Sequence, residues 1–569
     1  MPIQNVDIAT MFDQTADLLE LKGADPFRIR AYRRAARTVD GLPQSVRSML
    51  EEGRDLAELP AIGEDLAGKI GDIVRTGHFD VLDTLKAEVP ADVGAMAALP
   101  GLGPKRLKLL MDNLNIRSLA ELHEAAWKGR LAAIPGFGPG LVNRLLEALE
   151  KPPRPQRFRR PLAEAEADAL LAWLQADGTQ AIVAGSYRRR RDTVGDLDVL
   201  VAADDGKAVA ERLVRYENVT RVIARGATRT AVALRSGLQV DLRVVPPQSY
   251  GAALLYFTGS KAHNIALRQR AKRLGWKLSE YGLFCGTRQI AGADEQEVYE
   301  KLGLAFIPPE MREDRGEIAL AESGRLPRLV DLADIRGDLH VHSSWTDGTV
   351  DIEAMALGAR ALGREYIALT DHSPRITVVH GLDAAQLARQ AEEIDRLNTK
   401  LKDITVLKGI EVDILKDGSL DLPDPVLAKL DVVVASVHSH FDLPREAQTQ
   451  RVIKAMRNRN VSILGHPTCR LIGERAPIDL DMDRVIAAAR DSGCHLELNA
   501  GPDRLDIDDS HAHAAREAGV KVAISTDAHT IDFLKCMRFG VDQGRRGWLT
   551  PQDVINTRPL EELRSLLKR

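Results

Sequence analysis

The sequence predicts a multidomain protein: a helical N-terminal region, a central α/β domain with a helical extension, and a C-terminal βα barrel. Three observations predict it. A Gly-bounded motif occurs three times before residue 150, as LPAIGEDLAGKI (59–70), LPGLGPKRL (99–107) and IPGFGPGLV (134–142), about 35 to 40 residues apart. In the centre, GSYRRRRDTVGDLDVLV (185–201) places Gly185-Ser186 and a pair of aspartates, Asp196 and Asp198, between strand-like apolar runs. From residue 337 the runs EYIALTDHS, DITVLKGIEVDI, LDVVVASVHSHF, VSILGHPT, CHLELNA and VKVAISTDAH alternate with helical stretches, the rhythm of parallel strands joined by crossover helices.

Composition bounds the function. A chain of 569 residues has room for three or four domains, each with its own core. Its hydrophobic fraction of 44% is ordinary, no run approaches the ~18 apolar residues of a membrane helix, and the N-terminus lacks a signal pattern. A cytoplasmic protein without membrane contact is expected. Cys285, Cys469, Cys494 and Cys536 are scattered, which argues against a disulfide framework or zinc ribbon and for reduced thiols. The net charge of -4 hides an uneven distribution: residues 151–300 carry 24 Lys+Arg against 17 Asp+Glu, whereas 336–569 carry 31 against 36. The positive middle is the expected phosphate-facing surface. Of 14 histidines, 11 follow residue 335, so a metal-binding domain is expected there.

Residues 1–90 read as helices, with apolar spacing through Ile8, Met11, Phe12 and Leu18, then Ile29, Tyr32, Ala35 and Val39. In the three repeats Gly63, Gly101, Gly103, Gly136 and Gly138 bound tight turns at helix starts. Backbone N–H groups there can hold a DNA phosphate without reading bases, which is the helix-hairpin-helix grip. The Pro/Arg segment KPPRPQRFRRP (151–161) cannot be continuous helix and reads as a boundary.

The central site follows from strand geometry. Residues 181–184 form a short apolar run ended by Gly185, where a glycine permits close backbone approach to a phosphate. Asp196 and Asp198 lie two apart, so a strand points both carboxylates to one face, and like charges that close need a cation. Asp241 sits in an alternating segment, 238–245, that reads as a neighbouring strand. Three carboxylates with nucleotide phosphates make a hard-oxygen site suited to Mg²⁺.

Gly185-Ser186, Asp196-x-Asp198 and a distant Asp241 together resemble the palm of family X nucleotidyltransferases, the DNA polymerase beta type. That resemblance implies that Asp196, Asp198 and Asp241 are catalytic and hold two Mg²⁺, and that Gly185, Ser186, Arg189 and Gly195 bind the nucleotide. Arg188, Arg190 and Arg191 are expected only as a solvated basic face. The segment YGAALLYFTGSKAHNIALRQRAKRLGWKLSEYGLF (250–284) resembles the family's thumb. On that match Tyr256, Phe257, Gly259 and Ser260 pack on the sugar, Asn264 meets the minor-groove edge of the nascent pair and Arg268 meets the template; without it Tyr256 and Phe257 read as core aromatics. Lys261 stands where the vertebrate member has Asp. The first ~90 residues resemble the family's 5′-phosphate-binding and lyase domain, which puts Lys69 at the Schiff-base position and Arg28 and Tyr32 at the 5′-phosphate. Asp65 replaces a second phosphate-binding lysine and would repel phosphate.

In the last domain, ionisable residues fall at the ends of the apolar runs, where barrel enzymes place their sites: His340, His342, Asp347, His372, Glu411, His438, His466, Asp527 and His529. Imidazole with carboxylate suits Mn²⁺, Zn²⁺ or Fe²⁺. HVH, TDHS, GIEVD, SVHSH, GHP and TDAH, in that order, resemble the PHP (polymerase and histidinol phosphatase) domain, which implies up to three Mn²⁺ or Zn²⁺ ions and phosphoester hydrolysis. His380 and His440 are expected as phosphate or supporting groups, and His495, His511 and His513 as structural or surface residues.

The expected organisation is a lyase-like helical domain (1–90), further hairpin repeats (91–150), palm (151–249), thumb (250–315), linker (316–336) and PHP domain (337–569). The expected function is gap-filling DNA synthesis in repair by a monomer acting on gapped or nicked DNA with dNTPs, combined with 3′-5′ exonuclease and with abasic-site or 3′-phosphate processing. A DNA-end-binding scaffold and a nucleotide phosphatase fused to DNA-binding helices are the alternatives.

Overall fold

In the computed structural model, residues 5–567 are described apart from 22–23, 41, 43–45, 52, 60, 77, 89–95, 97–98, 100–101, 103, 151–156, 177 and 377–378. The chain divides into two compact units, Met1–Gln156 and Arg157–Arg569. Among the described residues no helix is long and apolar enough to cross a membrane.

The first unit is helical: α1 (Asn5–Leu21), α2 (Pro26–Asp40), α3 (Val46–Glu51), α4 (Glu64–Thr76), α5 (Asp80–Glu88), α6 (Pro104–Leu114), α7 (Leu119–Trp127) and α8 (Pro139–Glu150). The apolar residues at helical spacing form its core, where Phe12, Tyr32 and Phe79 meet with ring centroids 5.5 to 6.2 Å apart. Helices α4, α6 and α8 each begin one residue after the Gly of the apolar-Gly pair that bounds the turn, at 63, 103 and 138, and Pro104 and Pro139 take the first helical position, where a missing N–H costs nothing. Gly136 adopts φ +91°, which an L side chain would resist. Gly101 and Gly103 lie outside the described residues.

The second unit opens with β1 (Phe158–Arg159), α9 (Arg160–Gln175), β2 (Gln180–Val183), α10 (Gly185–Arg188), β3 (Thr193–Val194), β4 (Asp196–Ala202), α11 (Gly206–Val214), β5 (Val219–Ala224), β6 (Arg229–Leu234) and β7 (Gln239–Val245). The five-stranded sheet runs β2-β4-β7-β6-β5, with β4 and β7 parallel. Leu197, Val199 and Val201 bury one face of β4 against Ala163, Ala167, Leu170 and Leu174 of α9, which leaves Asp196 and Asp198 on the opposite face. Truncating Leu170 to Ala in that core would cost about 2–5 kcal/mol.

Next come α12 (Tyr250–Thr258), α13 (Lys261–Arg273), the three-stranded sheet β8 (Lys277–Ser279), β9 (Gly282–Cys285) and β10 (Arg288–Ala291), then α14 (Glu295–Lys301) and α15 (Glu317–Glu322). The stretch 316–336, expected as a linker, is packed. Buried Glu317 takes the backbone N–H groups of Asp314 and Arg315 and lies 2.6 Å from His263 Nδ1, while Val330 is buried and its N–H donates to Leu549 O. Its mixed charges look like a solvated tether in sequence because their partners lie far along the chain.

The last domain alternates β11 (Gly337–Val341), α16 (Ile352–Ala361), β12 (Tyr366–Leu369), α17 (Ala384–Asn398), β13 (Thr405–Asp413), α18 (Asp424–Leu427), β14 (Val432–Ser436), α19 (Arg445–Met456), β15 (Ile463–Leu464), α20 (Met482–Ser492), β16 (His495–Asn499), α21 (Asp509–Glu517), β17 (Val522–Ser525), α22 (Met537–Arg546) and α23 (Leu560–Leu567). Seven parallel strands run in sequence order. The segment after β17 closes the ring onto β11: Asp527 N–H donates to His340 O and His342 N–H to Ala528 O, both at 2.9 Å.

Candidate metal centres

In the palm, strand register does what sequence spacing cannot. Asp198 of β4 and Asp241 of β7 are direct cross-strand partners, and Asp196 precedes them on the same face. Burial, then the charges of Asp196 and Asp241, push the Asp198 carboxyl up to about 7; burial and then Asp241 also raise Asp196. Arg229 donates through Nη2 to Asp241 Oδ1 (3.0 Å), and Gln239 donates through Nε2 to Oδ2 (2.6 Å). A crowd of carboxylates that is costly to ionise, in an all-oxygen set, fits Mg²⁺.

Gly185 has φ +60°, and a Cβ there would fall 2.2 Å from Asp198 Oδ2, so the glycine makes room for the carboxylate itself. Ser186 and Gly195 are partly exposed beside it. Arg189 is engaged: Nε donates to Glu313 Oε1 (3.1 Å) and Nη1 to Thr258 O. A Cβ on Gly259 (φ +70°) would come 3.0 Å from Arg189 Nη1. The expectation of a solvated basic face fails for Arg188, which is mostly buried and grips both oxygens of Glu295 (2.9 and 2.7 Å) together with Thr258 Oγ1. A buried guanidinium needs such partners; Glu295 lies too far along the chain for sequence to pair them.

Tyr256 and Phe257 are half-buried, edge to face at 5.1 Å, and Arg243 lies over the Phe257 ring. Asn264 donates through Nδ2 to Tyr256 O (2.6 Å), its buried Oδ1 lacks a hydrogen-bond partner, and Arg268 is exposed one turn on. In the first unit Arg28 and Gly63 are exposed and Tyr32 is buried. Lys69 Nζ lies 2.5 Å from Asp65 Oδ2 and 5.5 Å from the Tyr32 ring centre. Partial burial opposes, but Asp65 holds the lysine protonated, with its proton affinity raised.

The barrel brings its nine predicted residues to one end. Three sets have ligand atoms within 4.8 Å of one another: His342, Asp347, His372 and His529; His340, His342 and Asp527; His372, Glu411 and His438. His342 and His372 are each shared by two sets. His466 falls in none, but its Nε2 lies 2.9 Å from Glu411 Oε1. Burial disfavours charge throughout, yet the mixed signs compensate. His438, His372 and His340 hold Glu411 well below the usual range, and His340 and His342 do the same for Asp527. Against burial, Glu411 lifts His372 to about 10 and His438 to about 9, whereas burial, His529 and His372 push His342 down to about 3. His340 Nε2, both ring nitrogens of His342, His372 Nδ1 and Glu411 Oε2 are buried without a hydrogen-bond partner. Orphaned lone pairs converging from separate strands fit transition-metal ions.

Sequence reasoning missed the supporting carboxylates. Glu497, buried on β16, lies 2.7 Å from His340 Nδ1 and accepts the His466 N–H (2.6 Å); Asp413 accepts the His438 N–H (3.2 Å) and lies 3.3 Å from its Nδ1. A charge in the middle of CHLELNA, and an Asp two residues past Glu411 on the same strand face, were the available signals. His380 and His440 belong to none of the ligand sets. His495, His511 and His513 make structural contacts, with Leu566 O, Asp508 and the Trp548 ring respectively.

The comparisons with known proteins agree with this layout. A helix-hairpin-helix domain model matches residues 3–79, a SAM-like helix-hairpin-helix tandem 93–151, the DNA polymerase beta palm 164–250, the DNA polymerase beta thumb 253–313 and the PHP domain 338–501. The DNA polymerase/3′-5′ exonuclease PolX of Bacillus subtilis strain 168 is 39% identical over 571 residues, covering 99% of each chain. A probable phosphatase of Thermoanaerobacter sp. strain X514 is 34% identical over 34% of this chain and 78% of its own length. DNA polymerase lambda of Rattus norvegicus is 26% identical over 54% of this chain and 56% of its own. With these models matched in order and a relative alike from end to end, the chain belongs to the family X DNA polymerases that carry a C-terminal PHP domain.

Proposed function

We propose that this enzyme fills short gaps in DNA during repair, adding dNTPs at the palm and removing 3′-terminal nucleotides at the barrel, as a cytoplasmic monomer. The observation that carries the synthetic half is the pairing of Asp198 with Asp241 across β4 and β7, with Asp196 beside them and Gly185 packed without a Cβ against the Asp198 carboxylate. Asp196, Asp198 and Asp241 would hold Mg²⁺, which when bound offsets the charge of the triphosphate and favours ionisation of the primer 3′-hydroxyl. Ser186 and Arg189 would hold the nucleotide tail, with Gly185 and Gly195 leaving it space. Tyr256, Phe257, Gly259 and Ser260 would fit the sugar and leave no room for a 2′-hydroxyl, Asn264 would face the minor-groove edge of the new pair, and Arg268 would contact the template. Backbone N–H groups at the hairpin glycines, with the exposed Arg28, would grip the DNA strand and its 5′-phosphate, while Tyr32, expected at the phosphate from sequence, is buried in the aromatic core and would only support that surface.

At the barrel the nine His, Asp and Glu ligands would hold up to three Mn²⁺ or Zn²⁺ ions, which supply the charge that makes water a nucleophile at neutral pH. Glu497 and Asp413 would fix the tautomers of His340 and His438. The probable-phosphatase likeness favours 3′-phosphate removal as a second hydrolytic activity at the same site. A Schiff-base role for Lys69 is weakened by Asp65, because an ammonium held protonated is no nucleophile. Domain limits at about residues 90, 150, 250 and 337 accord with this division.

One experiment tests both halves. On a one-nucleotide gap, purified protein with Mg²⁺ and dNTPs should extend the primer, and with Mn²⁺ and no dNTPs should shorten it from the 3′ end. Binding without either reaction would favour the scaffold reading, and phosphate release from free nucleotides without extension would favour the phosphatase.

A further inference from the structure

We propose that Arg546, on the barrel's helix α22, is a positioning residue for the polymerase's nucleotide: it holds the palm turn that carries Arg189 and thereby sets affinity for the nucleoside triphosphate. The proposal rests on the reading of Arg189 as a triphosphate contact. The side chain of Arg546 is 1% exposed, and its guanidinium donates to three partners. Nη1 donates to the backbone carbonyl of Arg189 (2.7 Å) and to Glu313 Oε1 (3.1 Å), and Nη2 donates to Asp509 Oδ2 (2.8 Å). Glu313 Oε1 is the same oxygen that accepts from Arg189 Nε. Arg546 therefore fixes both the main chain of residue 189 and the carboxylate that orients its guanidinium. The next residue, Arg190, sits at φ +59°, a conformation that persists only where surroundings impose it. Asp509 is shared in turn with Arg315, at 3.0 Å, so the anchor is buttressed from the thumb side.

The charge arithmetic gives Arg546 a role in exchange as well as in placement. Burial pushes the Glu313 carboxyl up, but Arg546, Arg189 and Arg191 outweigh it and hold it down at about 2, so Glu313 is an anion under all working conditions. With Nε on Glu313 and Nη1 on Thr258 O, a two-armed grip on phosphate through Nε and Nη2 requires Arg189 to release Glu313. A mostly buried carboxylate left without a cation is strongly destabilising. Arg546 remains on Glu313 after the exchange, so Arg189 is free to leave. Without Arg546, Glu313 would retain Arg189 and the turn would lose its anchor; both effects weaken nucleotide binding while leaving Asp196, Asp198 and Asp241 in place.

The test uses the full chain, with single-nucleotide insertion into gapped DNA to give KM and kcat, and 3′-end removal with Mn²⁺ to show that the barrel is folded. R546M should raise KM for the dNTP about tenfold or more while kcat stays within about threefold and exonuclease within about twofold. R546K, which keeps the charge but not the two-armed contact, should fall between. Because R546M removes one of the cations around the mostly buried Glu313 and so costs stability, R546M/E313Q is the second arm: with no anion to retain Arg189 but the turn still unanchored, KM should recover in part, to a value between wild type and R546M. R189A separates the two ideas. If R189A raises KM and neither R546K nor R546M does, the positioning role is overturned. If R189A leaves KM unchanged, the triphosphate reading itself fails. An R546M/E313Q variant that is folded by its exonuclease yet as weak for dNTP as R546M overturns the exchange argument.

Discussion

The two metal centres solve the same problem, several ionisable groups in a confined space, in opposite ways. In the palm the three groups that face one another are all carboxylates and only Asp241 has a close arginine, so burial and mutual repulsion push Asp198 up to about 7. In the barrel imidazoles and carboxylates alternate around Glu411, so His372 and His438 find an opposite charge there, while His342, crowded by His529 and His372, is held neutral. On the proposed function, the palm would gain most from a hard cation that offsets its mutual repulsion, whereas in the barrel a metal would have to displace protons from histidines that already pair with carboxylates.

The sharpest way to break this contrast is to remove one palm carboxylate. Asp196→Ala or Asp198→Ala should lower extension by about a thousandfold or more while leaving DNA binding and exonuclease within about twofold. Near-normal extension by either variant would sink the palm assignment. Next in size, His342→Ala removes a side chain shared by two ligand sets and should cut exonuclease at least a hundredfold per folded molecule, with extension unchanged. A loss under about tenfold, only ~1.4 kcal/mol of barrier, would be too small for a shared ligand; circular dichroism supplies the folding control. Glu497→Gln, at a residue that touches His340 but belongs to none of the ligand sets, should weaken metal retention by about 10- to 100-fold, measured by competition with a chelator.

The smallest effect is one of stability and carries the sign of the contrast. Asp198 titrates near 7 in the folded protein, above its unfolded value near 4, so its ionisation destabilises the metal-free fold progressively between those pH values. Asp198→Asn should therefore stabilise chelator-treated protein by about 2 kcal/mol at pH 8, allowing for solvent screening, and by nothing near pH 4. Mg²⁺ should raise the melting temperature of the wild type more than that of the variant. Equal melting temperatures at pH 8 without metal would show that the palm carboxylates do not repel as described.

The parts legible in sequence are those fixed by local periodicity. Asp196 and Asp198 could be placed on one face because a strand has period two, and the barrel ligands could be found because strand ends are where a parallel barrel exposes side chains. Register was not legible: nothing within 238–245 says that Asp241 stops opposite Asp198 rather than one residue away. Nor were the fates of the arginines, since Arg188 and Arg189 take their partners from Glu295 and Glu313, more than a hundred residues on. Segment 316–336 resembled a tether for the same reason. Glu497 escaped notice because a supporting carboxylate sits within a strand, where no end marks it.

The barrel closes by laying residues 527–528 against 340–342, so the first and last ligands of the hydrolytic centre are neighbours in space and nearly two hundred residues apart in synthesis. The palm carboxylates are complete once Asp241 has been translated. During translation on the ribosome, then, the palm's three candidate ligands are all present long before the barrel's. A nascent or prematurely terminated copy ending before Asp527 lacks part of two of the three candidate ligand sets found among the described residues, so the barrel's centre is the last to be completed.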